Sequence, residues 1–229
     1  MAVDRGAYLH RYGEMDAQAR ADLAALLPAG TRSVLDVGCS RGATAAILRE
    51  RGVRSVVGIE PDAEDAAAAE AVCDRVVRGR LEEIDEDFRG EFDAVLFGDV
   101  LEHLPDPSSA LVRVRPWLSA AGVVAASVPN IGHWSVIADL LQGRFDYVPY
   151  SILSGTHLRF FTRATVTDLF EASGFRIESV ATVDFPVPDP MRTAFSRLQA
   201  FPGSSPDLAA AEFLVVAAPN RETPFKIGP

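Results

Sequence analysis

The stretch Val34-Leu-Asp-Val-Gly-Cys-Ser-Arg-Gly42 decides the fold. A short apolar run breaks into a turn bearing two glycines, and the alanine-rich segment 43–51 that follows is patterned as a helix. Gly38 can take backbone angles that other residues avoid, and it leaves room for a ligand beside the main chain. Gly42 lets the following helix pack closely. A strand–turn–helix of this kind places a helix N-terminus at the carboxyl edge of a sheet, where open α/β folds bind ligands.

Apolar runs and helical patterns alternate outward from that turn. Strands are expected at 33–37, 55–60, 75–78, 92–97 and 122–128, with helices at 43–51, 62–72 and 107–118. Strands separated by helices at this spacing imply βαβ units, and continuous apolar strands imply burial on both faces. The expected class is α/β, a doubly wound, mostly parallel Rossmann-like sheet with helices on both faces. Segment 1–30 carries an amphipathic helix at 15–27. After Pro129-Asn130 the alternation stops. Segment 131–161 is aromatic-rich and reads as an insertion with a helix at 135–142. A helix at 162–173 and a strand at 175–183 follow. Segment 185–207 is proline-rich and interrupted, a last strand spans 212–217, and the tail from Asn220 is expected to fray. One domain at 31–218 accommodates all of this.

Composition narrows the function. The 229 residues are 48% hydrophobic and 24% charged, which is ordinary for a globular chain. The formal net charge of -10 repels phosphate backbones and anionic headgroups, so neither nucleic acid nor membrane is an expected partner. Two cysteines, Cys39 and Cys73, make neither a disulfide framework nor a cysteine metal cluster. The N-terminus has a charge where a signal peptide needs its apolar core, and no apolar run is long enough to span a bilayer. The expectation is a soluble cytoplasmic protein.

The glycine turn lacks the Gly-x-Gly-x-x-Gly dinucleotide fingerprint. Asp36 stands at the strand end, where an anionic pyrophosphate would be repelled, so the ligand should carry an ammonium or hydroxyls. Glu60 ends the next strand, where a carboxylate can accept hydrogen bonds from both ribose hydroxyls. Together these acids point to a nucleoside-type cofactor. The rival, a nicotinamide oxidoreductase, fails on the missing third glycine and on Asp36.

Three stretches then carry a specific resemblance: Val34 to Gly42, Val57-Gly-Ile-Glu-Pro-Asp62, and Phe92-Asp-Ala-Val-Leu-Phe-Gly-Asp-Val-Leu-Glu-His-Leu-Pro-Asp-Pro107. In order and spacing they resemble class I S-adenosylmethionine-dependent methyltransferases, over roughly residues 31–183. The chain is similar to the subgroup that includes the ubiquinone-biosynthesis O-methyltransferases, and Gly155-Thr-His-Leu-Arg-Phe-Phe-Thr162 also resembles that subgroup. The resemblance implies seven strands, the last antiparallel, and S-adenosylmethionine as cofactor with S-adenosylhomocysteine as product. It assigns Asp36, Gly38 and Gly42 to the methionine part of the cofactor, with Cys39 lining the turn. It assigns Glu60 to the ribose, Pro61 or Asp62 to the side of the adenine, and Arg80-Leu81 with Gly79 to its cap. Gly98 and Asp99 would support the methionine and sulfonium. Ser40 stands where the family usually has glycine, and tighter packing against the cofactor is expected there.

Methyl transfer is an in-line displacement at carbon, so the protein mainly aligns the acceptor, excludes water and removes a proton where needed. His103 and His157 are the catalytic candidates. The resemblance also implies a divalent-cation set of Asp99, Glu102, His103 and His157; metal is not the favoured expectation, because Asp99 replaces the usual glutamate. The acceptor is expected to be a small molecule, an oxygen or nitrogen on a sugar, polyketide or quinone-like metabolite. Trp134, Phe145, Tyr147 and Tyr150 could wall its pocket or fill the core, with His133, Arg144, His157 and Arg159 as polar handles. A non-catalytic cofactor-binding module is the alternative function. The oligomeric state stays open, a homodimer included.

Overall fold

The computed structural model describes residues 19–221. The strands are β1 (Ser33–Val37), β2 (Ser55–Glu60), β3 (Arg75–Arg78), β4 (Phe92–Gly98), β5 (Leu118–Pro129), β6 (Phe175–Asp184) and β7 (Ala210–Pro219). The helices are α1 (Ala21–Leu26), α2 (Ala43–Glu50), α3 (Ala63–Ala69), α4 (Pro107–Val114), α5 (Trp134–Leu141), α6 (Arg163–Ala172) and α7 (Arg192–Gln199). One seven-stranded sheet has the order β3-β2-β1-β4-β5-β7-β6. Strands β1 to β5 pair in parallel, and β7 runs antiparallel to both of its neighbours. The expected doubly wound sheet is the observed one. The strand order reverses between β1 and β4, and ligands bind at such a switch point.

The two-residue repeat of a strand explains the layers. Leu35 and Val37, Val95 and Phe97, and Phe213 and Val215 pack on one face with Leu111 of α4 and Phe170 of α6. Their alternates Val34, Ala94, Leu96, Leu214 and Val216 pack on the other face with Leu23 of α1 and Leu48 of α2. Phe97 and Phe213 are fully buried, each worth about 1.5–3 kcal/mol of apolar transfer. No helix of the described residues is long and apolar enough to cross a membrane.

Several boundaries differ from the sequence expectation, each for a physical reason. Helix α4 stops at Val114 instead of continuing to 118, because Pro116 cannot donate to the helix, and a 3-10 turn at Arg115–Trp117 takes over. Helix α3 begins after Asp62, whose side chain caps it by accepting from Glu64 N and Asp65 N, and ends at Ala69. Strand β5 starts at Leu118, not 122. The proline-rich segment contains a helix, α7, that the prolines around it concealed. Of the helix expected at 15–27, only α1 falls among the described residues; 15–18 and the tail beyond 221 lie outside them. The excursion 131–161 leaves and rejoins the sheet at one place, where Asn130 bridges Phe161 and Ile131 N donates to Phe161 O at 2.9 Å.

Candidate active site

The glycine turn is built backward from β2. Gly38 N and Cys39 N both donate to Ile59 O, at 2.8 and 3.2 Å, and Ser40 N donates to Glu60 Oε2 at 2.9 Å. These three amides are therefore committed to β2 and form no nest for a pyrophosphate, which agrees with the missing dinucleotide fingerprint. Gly38 has φ +71, and a Cβ there would lie 2.7 Å from Val100 Cγ2. Gly42 has φ +80, and its Cβ would meet Val72 Cγ2 at 2.3 Å, so Gly42 lets α3 approach the turn. Ser40 takes φ +46, the left-handed region that favours glycine. Its hydroxyl donates to Asp65 Oδ2 at 3.3 Å.

Ten of the eleven expected cofactor residues line one cleft of about 720 Å³: Asp36, Gly38, Cys39, Ser40, Glu60, Pro61, Arg80, Leu81, Gly98 and Asp99. Gly42 is the exception and lies behind the turn. The carboxylate of Glu60 is fixed on both oxygens, accepting from Ser40 N and from Asp62 N at 2.9 Å. Burial, then the neighbouring charge of Glu60, pushes Asp36 up to about 7. Two acids converging on a cleft with no free amide nest suit a ligand bearing a cationic head and vicinal hydroxyls, and S-adenosylmethionine fits that donor set. Cys39 and Cys73 are buried, and the Cys39 thiol donates to Ser40 O at 3.7 Å. The adjacent Cys73 thiol and burial raise the Cys39 thiol, so Cys39 is packing and not a nucleophile. Their sulfurs occupy the space over Gly58, where a Cβ would lie 2.4 Å from Cys39 Sγ.

A second, smaller cavity of about 120 Å³ adjoins the cleft, and Asp99 and His103 line both. It is closed by Glu102, His157, Ser151, Ile152, Phe185 and Glu212. The 3-10 turn Leu101–His103 after β4 carries Glu102 and His103. Glu102 O accepts from Leu158 N at 2.8 Å and Arg159 N at 3.0 Å, so the motif at 155–162 docks directly on that turn. The guanidinium of Arg159 reaches Pro105 O in the same junction. This brings His157 to His103, with ring centroids 4.8 Å apart and planes at 80°. His103 Nδ1 lies 3.1 Å from Thr156 O, and His157 Nδ1 lies 3.0 Å from Ile152 O. A carbonyl only accepts, so each Nδ1 carries the proton and each lone pair sits on Nε2.

The expected cation set comes together only in part. Ligand atoms of Glu102, His103 and His157 lie within 4.8 Å of one another. Asp99 is drawn elsewhere: its carboxylate pairs with Arg20 Nη1 and accepts from Ser127 Oγ at 3.0 Å. Burial pushes Asp99 up, but hydrogen bonding and the Arg20 charge outweigh it and hold Asp99 low. Burial, then the charge of Asp99, lifts Glu102 well above the usual carboxyl range. Neither oxygen of Glu102 has a hydrogen-bond partner among the described residues, though the residue is 1% exposed. Buried carboxyls of this kind ordinarily have partners, so a divalent cation fits here.

None of the aromatic residues of 131–161 expected to wall the acceptor pocket lines it. Trp134 is core, whereas Phe145, Tyr147 and Tyr150 are exposed, and Tyr150 lines the cofactor cleft. Arg144 pairs with Asp146 away from both cavities. His133 is buried and caps α5, and burial lowers it to about 4. Sequence reasoning missed Arg20 and Glu212. Glu212 did leave a signal, an acid opening an otherwise apolar strand.

Residues 9–180 match the model of a family described as a methyltransferase domain. The chain belongs to this methyltransferase-domain family. It is 30% identical over 155 residues to a ubiquinone biosynthesis O-methyltransferase of Nitrobacter winogradskyi, covering 65% of this chain and 58% of that one. The chain thus spans little more than half the length of that curated relative. Among solved structures, an S-adenosylmethionine-dependent methyltransferase from Mesorhizobium loti superposes with a TM-score of 0.61 at 23% identity, over 86% of this chain and 95% of that one. A Haloferax volcanii methyltransferase solved with its Trm112 activator gives a TM-score of 0.64 at 16% identity, over 96% and 97%. These two likenesses are of fold.

Proposed function

We propose that the chain transfers the methyl group of S-adenosylmethionine to an oxygen or nitrogen of a small-molecule acceptor. The observation that carries this is the meeting of two cavities at Asp99 and His103, a long acidic cleft for the cofactor and a small pocket for the acceptor. The cofactor supplies a methyl group already activated by the positive charge of its sulfonium. Asp36, Glu60 and the Gly38 turn bind and orient it, and Arg80-Leu81 closes the cleft over its base. His103, held by Thr156 O with its lone pair on Nε2, accepts the acceptor's proton. Val100 and Tyr150 line the cofactor cleft. The relatives named for ubiquinone biosynthesis favour a hydroxyl on a quinone-like acceptor; sugar and polyketide hydroxyls present the same chemistry.

A second reading concerns a metal. The unpartnered Glu102 beside two imidazoles favours a divalent cation on Glu102, His103 and His157. Such an ion would supply Lewis-acid polarisation of acceptor oxygens.

Calorimetric titration of chelator-treated protein with S-adenosylmethionine and S-adenosylhomocysteine, with and without Mg²⁺, tests both readings. Binding of both ligands without metal is the expected result. A folded sample that binds neither would end the methyltransferase reading. Methyl transfer to a catechol separates the enzyme from a binding module that keeps only the fold. Mg²⁺-dependence confined to catechol or diol acceptors would move His103 from base to ligand.

A further inference from the structure

The inner wall of the acceptor pocket is acidic beyond what cofactor binding or proton removal requires. Glu212 is the third residue of β7 and is 5% exposed. Its Oε1 accepts from Arg20 Nη1 at 2.9 Å, which fixes the side chain. Its Oε2 is buried with no hydrogen-bond partner among the described residues, and both oxygens of Glu102, on the same pocket, share that condition. Asp99 is the third carboxylate there, and a single guanidinium, that of Arg20, serves it and Glu212. A buried carboxyl oxygen left without a donor costs on the order of 1–3 kcal/mol. A hydroxyl would satisfy one of these three oxygens, whereas an ammonium brings three donors.

We propose that the acceptor is cationic, with an ammonium group docked against Glu212 Oε2 and Glu102, and that carboxylated acceptors are rejected. This rests on the methyl-transfer reading above. The docked ammonium is an anchor and not the methylated atom, since a protonated nitrogen has no lone pair for attack. The reacting atom lies beside His103, where the cofactor cleft opens. A carboxylate offers only acceptors to oxygens that lack donors, so a carboxylate in place of the ammonium is excluded. Glu212 is thereby a specificity-determining residue.

The test uses chelator-treated protein saturated with S-adenosylhomocysteine and three catechols that differ in charge: dopamine, methylcatechol and dihydroxyphenylacetate. Dopamine should bind at least about tenfold more tightly than methylcatechol, which corresponds to ~1.4 kcal/mol, and dihydroxyphenylacetate should not bind. Glu212→Gln keeps an oxygen for Arg20 and removes the charge; it should bring dopamine and methylcatechol to within about threefold of each other. Equal affinities, preference for the anion, or no bound catechol in the wild-type protein would overturn the proposal. So would a preference that appears only when Mg²⁺ is restored, because the charge would then belong to a metal site. The wild-type comparison stands even if the variant fails to fold. Lack of S-adenosylhomocysteine binding would instead remove the methyl-transfer reading. Product binding without charge preference removes only the cationic acceptor.

Discussion

The cofactor side and the acceptor side of this site are built by different rules. On the cofactor side, the ends of β1, β2 and β4 each deliver a ligand-facing residue within a few positions of a strand terminus. Three amides of the turn are committed, Gly38 N and Cys39 N to Ile59 O and Ser40 N to Glu60. On the acceptor side, the pocket gathers a 3-10 turn, an excursion, a proline-rich connection and the start of β7, and it leaves Glu102 and Glu212 with unpartnered oxygens. A fully committed frame fixes one ligand. A frame with spare hydrogen-bonding capacity waits for a ligand to complete it.

If that contrast is right, His103→Ala should give the largest effect and should split the two sides. Turnover should fall about 10²–10⁴-fold, while calorimetric affinity for S-adenosylhomocysteine stays near the wild-type value. A parallel fall in both would make His103 part of the frame. Glu60→Ala should do the reverse, weakening cofactor binding by about 1–3 kcal/mol because Ser40 N and Asp62 N lose their acceptor along with the ligand. Unchanged affinity in that variant would break the comparison on its committed side.

Asp36 makes the committed side sensitive to pH. Its carboxyl sits at about 7 against an ordinary 3.8, raised by burial and by Glu60. Between those values the folded state holds a proton that the unfolded chain has released, so this group's contribution makes stability fall as pH rises from about 4 to 7. Ligand affinity should move the other way. Ionised Asp36 attracts a cationic ligand, so affinity should rise by up to about tenfold per pH unit below 7 and then level off. Asp36→Asn should flatten both profiles, read by chemical denaturation and by calorimetry. The smallest effect belongs to Ser40→Gly. Relief of φ +46 should stabilise the fold by up to about 1 kcal/mol, offset by the lost bond to Asp65. A destabilised variant would mean that this bond outweighs the backbone strain.

The same division governed what the sequence disclosed. Strands β1, β2 and β3 fall where apolar runs and glycines put them, because local chemistry sets their limits. The cleft residues follow, since the strand ends position them. Arg20 and Glu212 stayed hidden because their roles arise from a pairing 192 positions apart that only the folded sheet creates. Helix α7 stayed hidden because the prolines around it read as interruption. Asp99 was grouped with Glu102 by its spacing, but Arg20 and Ser127 pull it out of the cation set. The aromatics of 131–161 could not be apportioned in advance, since walling a pocket and filling a core demand the same residue types.

The reversed course of β7 has a consequence for how such chains diversify. Because β7 runs against its neighbours, its beginning stands at the ligand edge of the sheet, and so does the end of β6. The connection 185–209 therefore begins and ends at the acceptor edge, and its first residue, Phe185, lines the acceptor pocket. It behaves as a cassette. Exchanging it between relatives should transplant acceptor preference while leaving the donor half intact, so new substrates can be sampled without re-evolving the reaction.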